Sequence, residues 1–151
     1  MHTKPTIYLG ADHAGFALKE KLKEWLKEWG YDFEDKGAYS LEMEDDYNDF
    51  VVPVAQNVAE NPRDRRGIVL GGSGQGEAMA ANRFKGVRAA VYYGGLEEIL
   101  RFSREHNDAN VLSLGARFVD EARLKDELAL WLKTSFLNEE KYLRRINKMD
   151  Q

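Results

Sequence analysis

The chain has 151 residues, 43% hydrophobic and 32% charged, a balance that excludes a disordered segment and suits one soluble domain with a full core. Its net charge of −4 lacks the basic excess of a nucleic-acid binder, and with no cysteine there is no disulfide, thiolate nucleophile or cysteine-ligated metal. No run reaches membrane-spanning length and "MHTKPTIYLGADHAG" has no apolar signal core, so a cytoplasmic protein without membrane contact is expected.

In chain order, "TIYLGA" reads as a buried strand. "FALKEKLKEWLKEWG" reads as an amphipathic helix with Phe16, Leu18, Leu22, Trp25, Leu26 and Trp29 on its apolar face and Gly30 as its stop. Its charged run "KEKLKEWLKEW" is expected on a solvated face, without function. "YDFEDKG" is a weaker second strand, and the acidic "LEMEDDYND" leads into a helix through "FVVPVAQNVAE", with Pro53 in its first turns. "GIVLGG" is apolar enough to be a central strand. A short helix "EAMAANRF", a strand "VRAAVYY" and a helix "LEEILRFSREH" follow. The fifth strand is "NVLSLG", and two helices close the chain, "DEARLKDELALWLKTSF" and the highly charged "NEEKYLRRINKMD".

Alternation of strand and helix over the whole length implies an α/β fold, a parallel sheet covered on both faces. No repeat or linker interrupts it, so residues 1–151 are read as a single domain. In such sheets a site forms beyond the carboxyl ends of the strands. That rule selects "GADHAG", the acidic loop, "GGSGQGE" and "SLGARF".

The glycine turn is the most informative of these. It lacks the Lys-Ser/Thr ending of a nucleotide P-loop, does not follow the dinucleotide spacing, and Gln75 breaks a nucleophile elbow around Ser73. Of the three histidines, His2 sits in an expected loose end, and His13 and His106 lack metal-ligand spacing. What remains is a nest of main-chain N–H groups at a helix start, which favours negative charge. One reading is a tight turn with Ser73 as helix cap. The other is an oxyanion hole for Gly72, Gly74, Gln75 and Gly76 to form, with Glu77 as the base that creates the charge. A base beside an anion hole is what proton abstraction next to a carbonyl requires.

Other constellations keep two readings each. Asp12 either caps the first helix or joins His13 in contacting a ligand. His106 either complements a helix end or, with Asn107, shuttles a proton. That pair lies at the amino end of its strand, so a functional His106 would reach a neighbouring subunit's site. Lys141 and Arg145 share a helical face, either as a salt-bridge ladder beside Glu139 and Glu140 or, with Arg117, as a phosphate grip. Asp46 and Tyr47 bind hydroxyls or anchor their loop.

Taken together, "GADHAGFALKEKL", "GGSGQGEAMAANRFKGVRAA" and "SREHNDANVLSLGARFV" resemble the ribose-5-phosphate isomerase type B family, which includes the allose- and galactose-6-phosphate isomerases. The likeness runs from "IYLGADHAG" to "RRINKM". It implies a Rossmann-like three-layer αβα sandwich with a five-stranded parallel sheet. It also implies metal- and cofactor-independent interconversion of an aldose and a ketose phosphate through an enediolate. Sites would lie at the interface of a homodimer or homotetramer, with the C-terminal helix, about 138–149, packed on the partner. Many members carry a cysteine base at the position of Gly71. This chain resembles the branch with a glutamate at Glu77, which then removes and returns the proton while Ser73 contacts the reacting oxygens. The resemblance also assigns ring opening to His106 and sugar contacts to Asn107, Asp46 and Tyr47. Asp12 and His13 form the first-loop pair, with His13 on the phosphate, as are Arg117 and Arg145. Lys141 stands where arginine is usual, a point charge in place of a two-pronged grip, and Asn48 replaces a usual proline.

Ribose 5-phosphate is the expected substrate. The rivals are a six-carbon aldose phosphate, a non-catalytic sugar-phosphate sensor and, weakest, a nucleotide-binding module.

Overall fold

The most apolar runs of the sequence lie side by side in the middle of the sheet. In the computed structural model, which describes residues 3–151, the strands are β1 (Thr6–Ala11), β2 (Phe33–Asp35), β3 (Arg65–Gly71), β4 (Ala89–Tyr92) and β5 (Val111–Gly115). All pair in parallel, in the order β2-β1-β3-β5-β4. Leu9 faces Ile68 across β1 and β3, and Ile68 faces Leu112 across β3 and β5. His2 lies outside the described residues.

The helices are α1 (Phe16–Trp29), α2 (Asn48–Glu60), α3 (Gln75–Ala81), α4 (Glu97–Glu105), α5 (Glu121–Lys133) and α6 (Glu140–Asn147). Strand alternation divides the core in two. Ile7, Leu9, Ile68, Leu70, Leu112 and Leu114 face α1, α4 and α5, where Leu22, Leu100 and Trp131 meet them. Tyr8, Val69 and Val111 face α2 and α3, against Val54, Val58 and Ala81. The result is the expected αβα sandwich.

Boundaries shift by a few residues. β3 starts at Arg65, because Thr6 and Ile7 of β1 extend the ladder to Arg65 and Arg66. β4 keeps only Ala89–Tyr92, a short edge strand. Gly30 closes α1 in the left-handed conformation, φ 79°, with its N–H on the Leu26 and Lys27 carbonyls.

One expectation fails. The charged run of α1 is not wholly solvated, because Lys19 is fully buried. Lys19 stands on the flank of the Leu18–Leu22–Leu26 stripe, where its stem packs inward and its head meets the end of β2. Its Nζ donates to Asp35 Oδ1 at 2.7 Å, Asp35 Oδ2 at 2.8 Å and the Ala38 carbonyl at 2.6 Å. Lys23 Nζ and the Gly37 N–H, each 2.9 Å away, complete the shell around Asp35. Burial works to raise the Asp35 carboxyl, but these donors outweigh it and hold it below the usual carboxylate value.

Candidate active site

β1 and β3 are neighbours, but the chain leaves β1 toward β2 on one side and reaches β3 on the other. Their carboxyl ends therefore bound a crevice at a topological switch point. Asp12 and His13 emerge from β1, Gly72–Gly76 from β3, and Arg117 follows β5 one strand over.

The turn after β3 is shaped by what its glycines leave out. A Cβ on Gly71 would overlap the Glu77 carboxylate, so that carboxylate occupies the space a side chain at residue 71 would take. A Cβ on Gly76 would press on the Tyr47 ring, its hydroxyl 2.7 Å away, and one on Gly72 would lie 3.1 Å from the Arg117 guanidinium. Tyr47 and Arg117 thus close over opposite parts of the turn. Gly74 has φ 79° and opens α3. β5 fastens the turn from below. Ser113 Oγ donates to the Gly74 carbonyl at 2.6 Å, and the N–H groups of Ala116 and Arg117 donate to the carbonyls of Gly71 and Gly72 at 2.8 and 3.2 Å. The N–H groups of Gly72 and Ser73 meet no acceptor among the described residues.

Glu77 is 4% exposed, and its Oε2 has no hydrogen-bond partner among the described residues. Burial is the chief cause that raises its carboxyl above the ordinary 4.5. The Asp12 charge adds to this, while the main-chain N–H groups of Glu77 and Gly74 pull the other way. A buried carboxylate with an idle oxygen and a raised proton affinity is equipped to take a proton.

The readings of the flanking residues separate. Ser73 is exposed, and its Oγ accepts the Gln75 N–H at 3.2 Å, a bond within the turn; the N-cap of α3 is Gly74, not Ser73. Gln75 is exposed too. Asp12 accepts the Ala14 N–H at 3.0 Å and also acts on Glu77, so it both shapes the turn and lines the cleft. Asp46 is exposed, and its neighbour Asp45, which sequence reasoning passed over, turns inward. Asp45 Oδ1 accepts from the His13 main-chain N–H at 3.0 Å and lies 2.8 Å from His13 Nδ1. Because a carboxylate only accepts, Nδ1 carries the proton in this pair. The doubled acid in "EDDYN" was the available signal; which of the two faces inward depends on the loop's path. Asp12, His13 and Asp45 each bring one donor atom within 4.8 Å of the others, though His13 Nδ1 is already committed to Asp45.

The remaining candidates do not join this cluster. His106 caps the C-terminus of α4, before β5 and so at the opposite end of the sheet from Glu77. Its ring stacks between Phe102 and Tyr142, each 4.7 Å away. Asn107 is exposed beside it. Lys141 and Arg145 are exposed on α6, with Lys141 3.7 Å from Glu139, and α6 buries none of its residues.

A model of the ribose/galactose isomerases matches residues 7–149. Ribose-5-phosphate isomerase B of Mycobacterium leprae is 38% identical over 93% of this chain and 85% of its own, and that of Escherichia coli is 39% identical over 86% and 85%. A crystal structure of ribose-5-phosphate isomerase B from Mycoplasma genitalium with bound ribulose-5-phosphate superposes with TM-score 0.91 at 36% identity, over 98% of this chain and 95% of that one. The Clostridium thermocellum enzyme gives 0.88 at 40% identity, over 96% and 95%. Among the described residues no helix is long and apolar enough to cross a membrane.

Proposed function

The chain belongs to the ribose/galactose isomerase family and is an aldose–ketose isomerase, and from that premise we propose that Glu77 is the base with which it interconverts ribose 5-phosphate and ribulose 5-phosphate. The observation that carries the assignment is the Glu77 carboxylate, buried, with one oxygen idle, in the space left by Gly71.

With the open-chain aldose in the crevice, Glu77 takes the proton from carbon 2 as the electron pair moves toward the carbonyl oxygen on carbon 1. The developing oxyanion lies against the free N–H groups of Gly72 and Ser73, with Gly74, Gln75 and Gly76 shaping the rest of the hole. A proton then passes from the carbon-2 hydroxyl to the oxyanion on carbon 1, and Glu77 returns its own proton to carbon 1, giving the ketose. A positioned base contributes ~10²–10⁴-fold, and one oxyanion donor about 10²–10³-fold, so hole and base carry comparable weight. Tyr47 and Arg117, which lie over the turn, hold the sugar and its phosphate. His13, oriented by Asp45, presents Nε2 to the ligand beside Asp12.

His106, Asn107, Lys141 and Arg145 sit at the far end of the sheet. We assign them to the site of a second copy, where His106 opens the furanose ring and the two cations meet the phosphate. Exposed Leu137, Leu143 and Met149 around α6 support a partner on this face. This makes the working unit a dimer with two composite sites. The test is Glu77→Gln: isomerisation of ribose 5-phosphate and solvent-deuterium uptake into the sugar should both disappear while calorimetric binding of the sugar phosphate persists. Deuterium uptake at the wild-type rate would remove Glu77 from the mechanism.

A further inference from the structure

A cavity lies away from the crevice, at the amino ends of β1 and β3. It measures about 800 Å³, within the range of ligand sites. Its floor and walls come from the entrance of β1, the ends of α1 and α5, and the turn before β3. Five cationic side chains line it, Lys4, Arg63, Arg66, Arg104 and Lys133, against one carboxylate, Asp64. In a chain of net charge −4, this concentration of one sign is a local exception.

Three of these cations have an explanation within the fold. Arg104 is 5% exposed and is tied to Asp108 at 2.8 Å and to the Thr134 and Ala109 carbonyls at 3.0 and 2.6 Å. Lys4 donates to the Trp29 carbonyl and lies over the Tyr31 ring, 4.8 Å from its centre. Lys133, in the last turn of α5, suits the negative end of that helix. No helix end accounts for Arg63 and Arg66. Among the described residues none of Arg63, Arg66 and Lys133 has a carboxylate within ion-pair distance. Arg66 Nη1 donates to the carbonyls of Pro62, Arg63 and Arg65 at 3.3, 3.3 and 2.9 Å, which orients the guanidinium, and the Asp108 and Asp64 charges act on it only from a distance. Burial first, then the nearby Arg104 charge, pull the Arg66 guanidinium down to about 10. Arg66 is half-buried and Arg63 and Lys133 are exposed at the rim; cations gathered in this way, in excess over the carboxylates near them, favour an anion in the space between them. Trp29, Tyr31 and Leu132 add aromatic and apolar surface to the lining.

We propose that this cavity is a second ligand site, binding a small phosphorylated metabolite whose phosphate lies on Arg63, Arg66 and Lys133 and whose organic part packs on Trp29, Tyr31 and Leu132. Arginine forks match phosphate oxygens two at a time, so phosphate is favoured over a carboxylate. The site is separate from the crevice and does not depend on which reaction that crevice carries.

The experiment is a calorimetric titration of the full chain with inorganic pyrophosphate, with citrate as the carboxylate control. The Arg117→Ala/Arg145→Ala double variant, stripped of both arginines of the proposed catalytic phosphate grip, should still bind pyrophosphate at one site per chain. Lys133→Glu, an exposed change that disturbs no packing, should weaken that site about tenfold or more in the same background. Arg66→Ala should do likewise, and Lys133→Glu decides the matter if Arg66→Ala does not fold. Lys133→Glu alone should isomerise ribose 5-phosphate at the wild-type rate. Loss of all pyrophosphate binding in the double variant, or unchanged affinity after Lys133→Glu, overturns the proposal. Citrate binding as tightly as pyrophosphate overturns the phosphate preference.

Discussion

Lys19 and Glu77 are both charged side chains sealed inside the protein, and they are treated in opposite ways. Around Lys19 every polar demand is met: two carboxylate oxygens and a carbonyl accept from its head, and Asp35 in turn receives from Lys23 and Gly37. Around Glu77 the shell is left incomplete. One oxygen has no partner among the described residues, the neighbouring charge is another acid, and burial raises the carboxyl. A satisfied buried charge fixes geometry and has no spare capacity for chemistry. An unsatisfied one is expensive to hold, and the cost is carried where a proton must be taken and given back.

The sharpest way to break the contrast is to neutralise each acid. Glu77→Gln should lower turnover of ribose 5-phosphate by roughly 10³-fold or more, with the fold intact by circular dichroism; a loss under tenfold would make Glu77 as structural as Asp35. Lys19→Met should instead destabilise by about 1.5–3 kcal/mol in chemical denaturation, because Asp35 loses its buried partner and keeps only Lys23 and the Gly37 N–H. Adding Asp35→Leu to that variant should restore part of the loss. If the double variant is the less stable of the two, the pair is not the closed unit described here.

Gly71→Ala tests the space between the two behaviours. Its new Cβ would displace the Glu77 carboxylate, and a displacement near 1 Å can cost ~10²-fold in rate. The effect should fall on kcat with binding little changed. Wild-type kcat in this variant would mean that the carboxylate does not need the glycine's space.

Proton affinity gives a smaller effect of defined sign. Because the Glu77 carboxyl is raised in the folded state, the native protein holds a proton that the unfolded chain releases near 4.5. Stability is therefore lost as pH rises from 4.5 through the folded-state value. Glu77→Gln should be more thermostable than wild type at neutral pH, with the difference vanishing below 4.5. The acid limb of wild-type kcat/KM should lie above 4.5 for the same reason. A thermal advantage that grows toward acid pH would reverse the sign. Smallest of all, Lys141→Ala should raise KM several-fold and leave Tm unmoved, since its ion pair with Glu139 is exposed. An unchanged KM would reduce Lys141 to that surface pair.

The order of strands and helices, the parallel sheet and the crevice loops could be read from the sequence because they rest on local regularities. Apolar runs of strand length, an apolar face of helical period and glycines at turns are properties of neighbouring residues. The candidacy of Glu77, the glycine turn, Asp12 and His13 followed the same way, from loops placed at strand ends. What only the tertiary structure decided were matters of distance between segments far apart in the chain. Lys19 looked solvated because its partner is sixteen residues away, on β2. Asp45 rather than Asp46 faces His13 because the loop's path chooses between adjacent acids thirty-two residues from their partner. The five cations of the amino-end cavity come from segments spread between Lys4 and Lys133. A local pattern fixes which residues can be buried; only packing determines what they meet there, and so whether a buried charge is neutralised or left free to react.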